Sequence, residues 1–189
     1  MKIEAVELRQ VALTLVEPFR TAKGTHDSVE KLLVRVVTPD AEGWGECPVG
    51  LGPGSLDSVD EAWDALLEPE PSSALPPPAA GALEAARLDA ELRAAGESLA
   101  ARLGATRTAV DAGVVVGIAP SISALIDEVE RRVSEGYRRV KLTIEPGWDI
   151  EPVAAARDRF GADLALQVDG NGAYGAADGE HLAELDRFG

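Results

Sequence analysis

The sequence predicts a small α+β domain followed by an incomplete (β/α)8 barrel of the TIM type, with about three βα units. Strand runs come first and strand–helix alternation second, the order of an α+β module ahead of a parallel sheet. Two of the later strands, 140–144 and 164–168, alternate apolar and polar residues. Their polar sides carry Lys141 and Thr143 on one strand and lead to Asp169 and Asn171 at the end of the other. Parallel strands under helices ordinarily bury apolar residues on both faces, whereas the inner face of a barrel turns polar at the C-terminal strand ends, where its chemistry sits.

Taken in order, three strand-like runs at 3–15, 31–38 and 43–47 read as a β-meander, the last two joined by Pro-Asp-Ala-Glu-Gly. Between the first two lies PFRTAKGTHDS, read as a polar loop long enough to fold over a pocket. PVGLGPGS then leads to a helix at 59–67, and EPEPSSALPPP reads as a stiff, proline-rich linker. An alanine-rich helix is expected from Ala79, with Leu83, Ala86 and Ala90 on one side and Gly96 as its end; a short helix at 98–103 follows.

From Thr108 the rhythm changes. A buried strand at 108–118 precedes a helix with Ser121 as N-cap and Gly136 as C-cap. Then come strand 140–144, a helix at 149–160 with Pro152 in its first turn, strand 164–168 and a final helix at 177–188. The expected division is therefore 1–107 and 108–189. Three strands cannot close a barrel that needs eight.

A formal charge of −15 argues against nucleic acid and anionic membrane surfaces as partners, since both need basic patches. The one cysteine, Cys47, cannot form an intrachain disulfide and reads as a buried thiol, which makes a reducing cytoplasm the expected location. No segment approaches the ~20 apolar residues of a membrane-spanning helix, and MKIEAVELRQ has no apolar signal core.

The strings PFRTAKGT, LLVRVVT, EGWGEC, LDAELRAAGESLAARLG, EGYRRVKLTIEPGWDIEPV and LQVDGNGAY, in this order, resemble the enolase superfamily. The resemblance is to the branch of o-succinylbenzoate synthase and N-succinylamino acid racemase, and it covers nearly the whole chain. It implies an N-terminal capping domain, here shortened at EPEPSSALPPP, and a barrel. It also implies abstraction of a proton α to the carboxylate of a small substrate, with Mg2+ and nearby ammonium groups offsetting the developing charge.

Carried over by position, Lys141 matches the first lysine of a K-x-K motif on the second barrel strand, and Thr143 stands where the family has its base. A hydroxyl that stays un-ionised near neutral pH cannot replace that amine. Asp169 matches the first of three metal carboxylates and Asn171 the polar residue after it, while the other carboxylates and the opposing lysine have no counterpart within residues 1–189. A Mg2+ ion held by one carboxylate binds weakly, so Asp169 alone is no metal site. Arg20, Lys23 and His26 match the segment that shapes substrate choice.

Each residue also has a plainer reading. Asp169 could cap a turn in any DGNG sequence, Lys141 could be a solvated strand lysine, and the Arg20–His26 charges could belong to a solvated loop. Trp44 and Glu46 are expected to hold the meander together, and His181 to lie on the surface. GNGAYG lacks the Lys-Ser or Lys-Thr of a phosphate cradle and reads as a barrel loop. Two functions follow. One is an enzyme of this branch, inactive alone and completed either by a complementary barrel-half chain or by the rest of a longer chain; the other is a non-catalytic enolase-like binding or assembly module, stabilised by oligomerisation.

Overall fold

The computed structural model describes residues 2–50, 56–67 and 75–189. Contacts divide the chain into two compact units, Met1–Leu15 with Ser28–Thr108, and Val16–Asp27 with Ala109–Gly189.

A sheet of order β1-β2-β3 has β1 at Ala5–Thr21, β2 at Gly24–Val37 and β3 at Glu42–Pro48; the first unit is built on β3 and on β1 and β2 outside Val16–Asp27, which belongs to the second unit. β2 and β3 pair antiparallel, Leu32 opposite Cys47 and Val34 opposite Gly45. Alternation on β2 buries Leu32, Val34 and Val36. Helices α1 (Val59–Leu67) and α2 (Pro77–Ala95) complete this core, α2 contributing Ala79, Ala82, Ala86 and Ala90. The small residues let α2 and β3 approach closely: a Cβ on Gly43 or Gly45 would fall inside the backbone of α2. Glu46 pairs with Lys31 at 3.2 Å, and the Trp44 ring lies under the Arg9 and Arg35 guanidinium groups while its backbone N–H donates to Asp89 Oδ2 at 2.9 Å. Both residues thus tie elements of this unit together. Cys47 is fully buried, and burial pushes its thiol pKa up.

The short helix α3 (Leu99–Arg102) takes Ser98 as its N-cap. The second unit holds a parallel sheet of order β4-β5-β6, with β4 at Gly113–Val116, β5 at Arg139–Thr143 and β6 at Ala165–Asp169. Helices α4 (Ile122–Ser134) and α5 (Ile150–Phe160) place Leu125, Val129, Val153 and Ala156 in one core with Val116, Val140, Leu142 and Ile144. The apolar side of β5 therefore faces helices.

Several expectations need correction. PFRTAKGTHDS is not a loop: β1 runs through Arg20 to Thr21 and β2 restarts at Gly24, so Lys23 sits at the tip of a long hairpin. A ribbon exposed on both sides needs no apolar alternation, which is why its polarity suggested a loop. The turn closes through Thr21 Oγ1, which accepts from Lys23 N–H at 3.1 Å, and Gly24 takes φ 133°, a value that favours glycine. The strand expected at 108–118 is only the four residues of β4.

Helix α2 begins two residues before Ala79, because prolines are tolerated in a first turn whose N–H groups have no helical partner. Residues 68–74 of the proposed linker, and 51–55 of the glycine–proline connection, lie outside the described residues. Ser121 caps α4 as expected, but the C-cap is Glu135; Gly136 follows at φ 99°, and Tyr137 N–H donates back to Arg132 O, a Schellman closure. The final helix is broken into a 3₁₀ turn at Ala176–Asp178, α6 at Gly179–Leu182 and a second 3₁₀ stretch at Ala183–Phe188.

Candidate functional site

Parallel pairing sets the site. Lys141 lies opposite Gln167 and Thr143 opposite Asp169, so these four side chains share one face of β5 and β6 while Val140, Leu142 and Ile144 take the other. Lys141 Nζ donates to Asp169 Oδ2 at 2.9 Å. The second carboxylate oxygen, Oδ1, accepts from Asn171 N–H at 2.8 Å. The lysine first, and the amide second, hold the Asp169 carboxyl below the usual carboxylate range. Thr143 is 3% exposed, so a proton acceptor at this position would work in a largely dry setting.

The loop after β6 is a tight turn: Asn171 takes φ 48°, Gly172 φ 77°, and Ala173 N–H donates to Gly170 O at 2.8 Å. Asp169 does cap this turn, as its plainer reading expects, and the same carboxylate meets Lys141.

Arg20 reaches the same strand ends by another route. Its carbonyl accepts from Ile118 N–H at 3.1 Å, and its guanidinium meets Glu145 at 2.9 Å, two residues beyond Thr143. Glu145 is fixed by the Pro146-Gly147 turn, in which its backbone exchanges hydrogen bonds with that of Trp148. The structure thus gathers Lys141, Thr143, Asp169 and Asn171, and brings Arg20 to β5. Among the described residues the Lys23 side chain makes no ion pair or hydrogen bond, and it is exposed at the hairpin tip.

Three residues next to this site escape a reading by strand face. Asp149, 5% exposed at the N-terminus of α5, accepts from Ile150 N–H at 2.6 Å and Tyr174 Oη at 2.9 Å, and pairs with His181 Nε2 at 2.8 Å. His181 is on the surface as expected, but its inner side is engaged. Burial raises the Asp149 pKa, yet the hydrogen bonds from His181, Ile150 and Tyr174 outweigh it and hold the carboxyl low. The aspartate in turn raises the His181 pKa. Burial and the same carboxylate push the Tyr174 hydroxyl up, so it stays a donor. The turn-plus-aspartate string EPGWD signals a helix start, but nothing local in the sequence says that residues 174 and 181 converge on it.

Mg2+ takes an octahedral set of oxygen ligands. Asp169 stands against a lysine rather than a second carboxylate, and among the described residues no group of three or more His, Cys, Asp or Glu is arranged to hold a metal. The described residues do not by themselves fit a Mg2+ site.

An enolase C-terminal domain-like family model matches residues 124–188, which include β5, α5 and β6. The chain is 47% identical to an N-succinylamino acid racemase from Amycolatopsis and 36% identical to an o-succinylbenzoate synthase from Geobacillus kaustophilus, in each case over 100% of this chain. The chain belongs to the enolase superfamily. It falls in the branch of these two relatives, matching their N-terminal part. It spans 57% and 56% of their respective lengths. A probable mandelate racemase from Alicyclobacillus acidocaldarius superposes with TM-score 0.85 at 29% identity, over 99% of this chain and 56% of that one. A dipeptide epimerase from Enterococcus faecalis, solved with Mg and a dipeptide, shares the fold at TM-score 0.84 and 24% identity, over 100% of this chain and 59% of that one. No described helix is long and apolar enough to cross a membrane.

Proposed function

We propose that this chain is the capping domain (1–107) and first three βα units (108–189) of an o-succinylbenzoate synthase or N-acylamino acid racemase type of enzyme, and that it does not turn over substrate by itself. The observation that carries this reading is the polar face of β5 and β6. Lys141 and Asp169 are in place as an ion pair, while Thr143 holds the next inward position on β5. Abstraction of a proton α to a carboxylate needs a base whose pKa lies near the working pH, and a threonine hydroxyl is far from it. Mg2+, the cofactor implied by the family, would supply charge stabilisation for the enediolate once further carboxylates are present. In this chain Lys141 would then offer its ammonium to the substrate carboxylate, Asn171 would line the site, and Arg20, held by Glu145, would contribute to substrate choice.

The rest of the barrel is the partner this reading requires. Among the described residues β6 pairs on one side only, with β5. Beside it an apolar cleft of about 390 Å³ is lined by Val153, Leu166, Val168, Leu185 and Phe188, and Val168 is 39% exposed. A further parallel strand would cover both features, because unpaired edges and apolar clefts seek partners.

The second reading, a non-catalytic binding or assembly module, draws on the same edge together with the substituted base. Assays of the purified chain with Mg2+, for dehydration of the cyclohexadiene precursor of o-succinylbenzoate and for racemisation of N-succinylamino acids, test the first. We expect no turnover, and none from Thr143→Lys alone. Thr143→Lys mixed with the C-terminal segment of an active relative is expected to recover turnover. Activity of the unmodified chain alone would overturn the proposal, and a mixture that assembles but stays inactive would favour the module.

A further inference from the structure

We propose that Asp149 and Tyr174 are positioning residues for the Asp169–Asn171 turn: the buried carboxylate holds the tyrosine so that its ring clamps Gly170 and fixes Asp169 and Asn171 beside Lys141. The site assignment of those residues rests on the function proposed above; the clamp itself rests on geometry.

The turn needs an external hold. Asn171 at φ 48° is a non-glycine residue in the left-handed region, a conformation that costs energy without glycine's freedom and is held by its surroundings; Gly172 follows in the same region without that cost. Tyr174 supplies the contact. A Cβ at Gly170 would lie 2.6 and 2.7 Å from two ring carbons, so the ring is pressed against the backbone of the residue next to Asp169. The ring is steered in turn by its hydroxyl, which donates to Asp149 at 2.9 Å. Asp149 is well placed to serve as the fixed point. It is 5% exposed, sits at the start of the 11-residue helix α5, and has further partners in Ile150 N–H and His181. A buried carboxylate with this set of hydrogen bonds is costly to rearrange. The chain of contacts therefore runs from the α5 N-terminus through Tyr174 to Gly170, and so to the hydrogen bond from Asn171 N–H to Asp169 Oδ1.

The plainer alternative is that Tyr174 only fills space in the core, in which case phenylalanine would serve as well. Amide hydrogen exchange of the full chain, followed by NMR, separates the two. In Tyr174→Phe, which keeps the ring and loses the hydroxyl, Asn171 N–H is expected to exchange at least about fivefold faster while the Val140 and Leu142 amides keep their rates. Asp149→Asn, which retains an oxygen for Ile150 N–H but loses the carboxylate, is expected to act in the same direction. An Asn171 rate within about twofold of wild type in Tyr174→Phe would overturn the proposal, even if Asp149→Asn failed to fold. The readout is the Asn171 amide itself. Inactivity in the mixing assay therefore counts against the function proposed above and not against the clamp.

Discussion

Gly45→Ala tests the closest approach in the first unit. A Cβ at this position would overlap the Ala82 carbonyl carbon and oxygen and crowd the Ala86 nitrogen. All three are backbone atoms of α2, so no side-chain rotation can relieve the clash. To restore van der Waals distance, α2 must retreat from β3 by roughly 1 Å, and a gap of that size forfeits about a quarter to a half of each contact's dispersion well. The affected layer includes Ala82, Ala86 and Ala90 against Leu32, Val34 and Val36. Overpacking ordinarily costs about 1–3 kcal/mol. A backbone clash belongs at the top of that range, so we expect a loss of ~3 kcal/mol and a Tm lower by roughly 10 °C. Urea unfolding followed by circular dichroism should show a lower midpoint with an unchanged slope. Gly81→Ala, on the same helix but facing open space, is expected to change stability in the other direction, by about 0.5–1 kcal/mol. A Gly45→Ala protein within about 0.5 kcal/mol of wild type would refute the close-packing argument.

Two further outcomes are expected. His181 has its pKa raised by the Asp149 carboxylate, and the other charged groups that face it, Glu184 and Asp178, are also acidic. Its contribution to holding the 176–188 segment should therefore be complete below its ordinary pKa of about 6.5 and fade as pH rises through the higher folded value. Asp149, held low, would lose its contribution only as pH falls below the ordinary carboxylate range and through its depressed pKa. An NMR titration of His181 should have its midpoint above that of a free histidine, and Asp149→Asn should bring it down; a midpoint at or below the ordinary value would refute the contact. Cys47 is buried with a raised pKa, so a thiol reagent should leave the native protein unmodified and label it in urea; rapid labelling of native protein would contradict the packing of β3.

Much of the second unit was legible in the sequence because periodicity reports which face of an element is buried. The alternation around Lys141 and Thr143 placed these side chains on one face, and parallel register then brought Asp169 opposite Thr143. Ser121 was legible as a cap because capping is local chemistry. The 18–28 segment was misread as a loop because an exposed ribbon gives polarity and not alternation. The break in the terminal helix, and the start of α2 at its prolines, were likewise hidden from an apolar-period argument.

By itself, the sequence determined membership of the enolase superfamily and the order of strands and helices around β5. These follow from residue identity and from neighbours along the chain. Only the tertiary structure decided that Lys141 is bound to Asp169, that Arg20 arrives on a strand and is met by Glu145, and that Asp149, Tyr174 and His181 converge. Contacts across 25 to 125 positions leave no local pattern, because they depend on where folding brings chain segments together rather than on any periodicity within one of them.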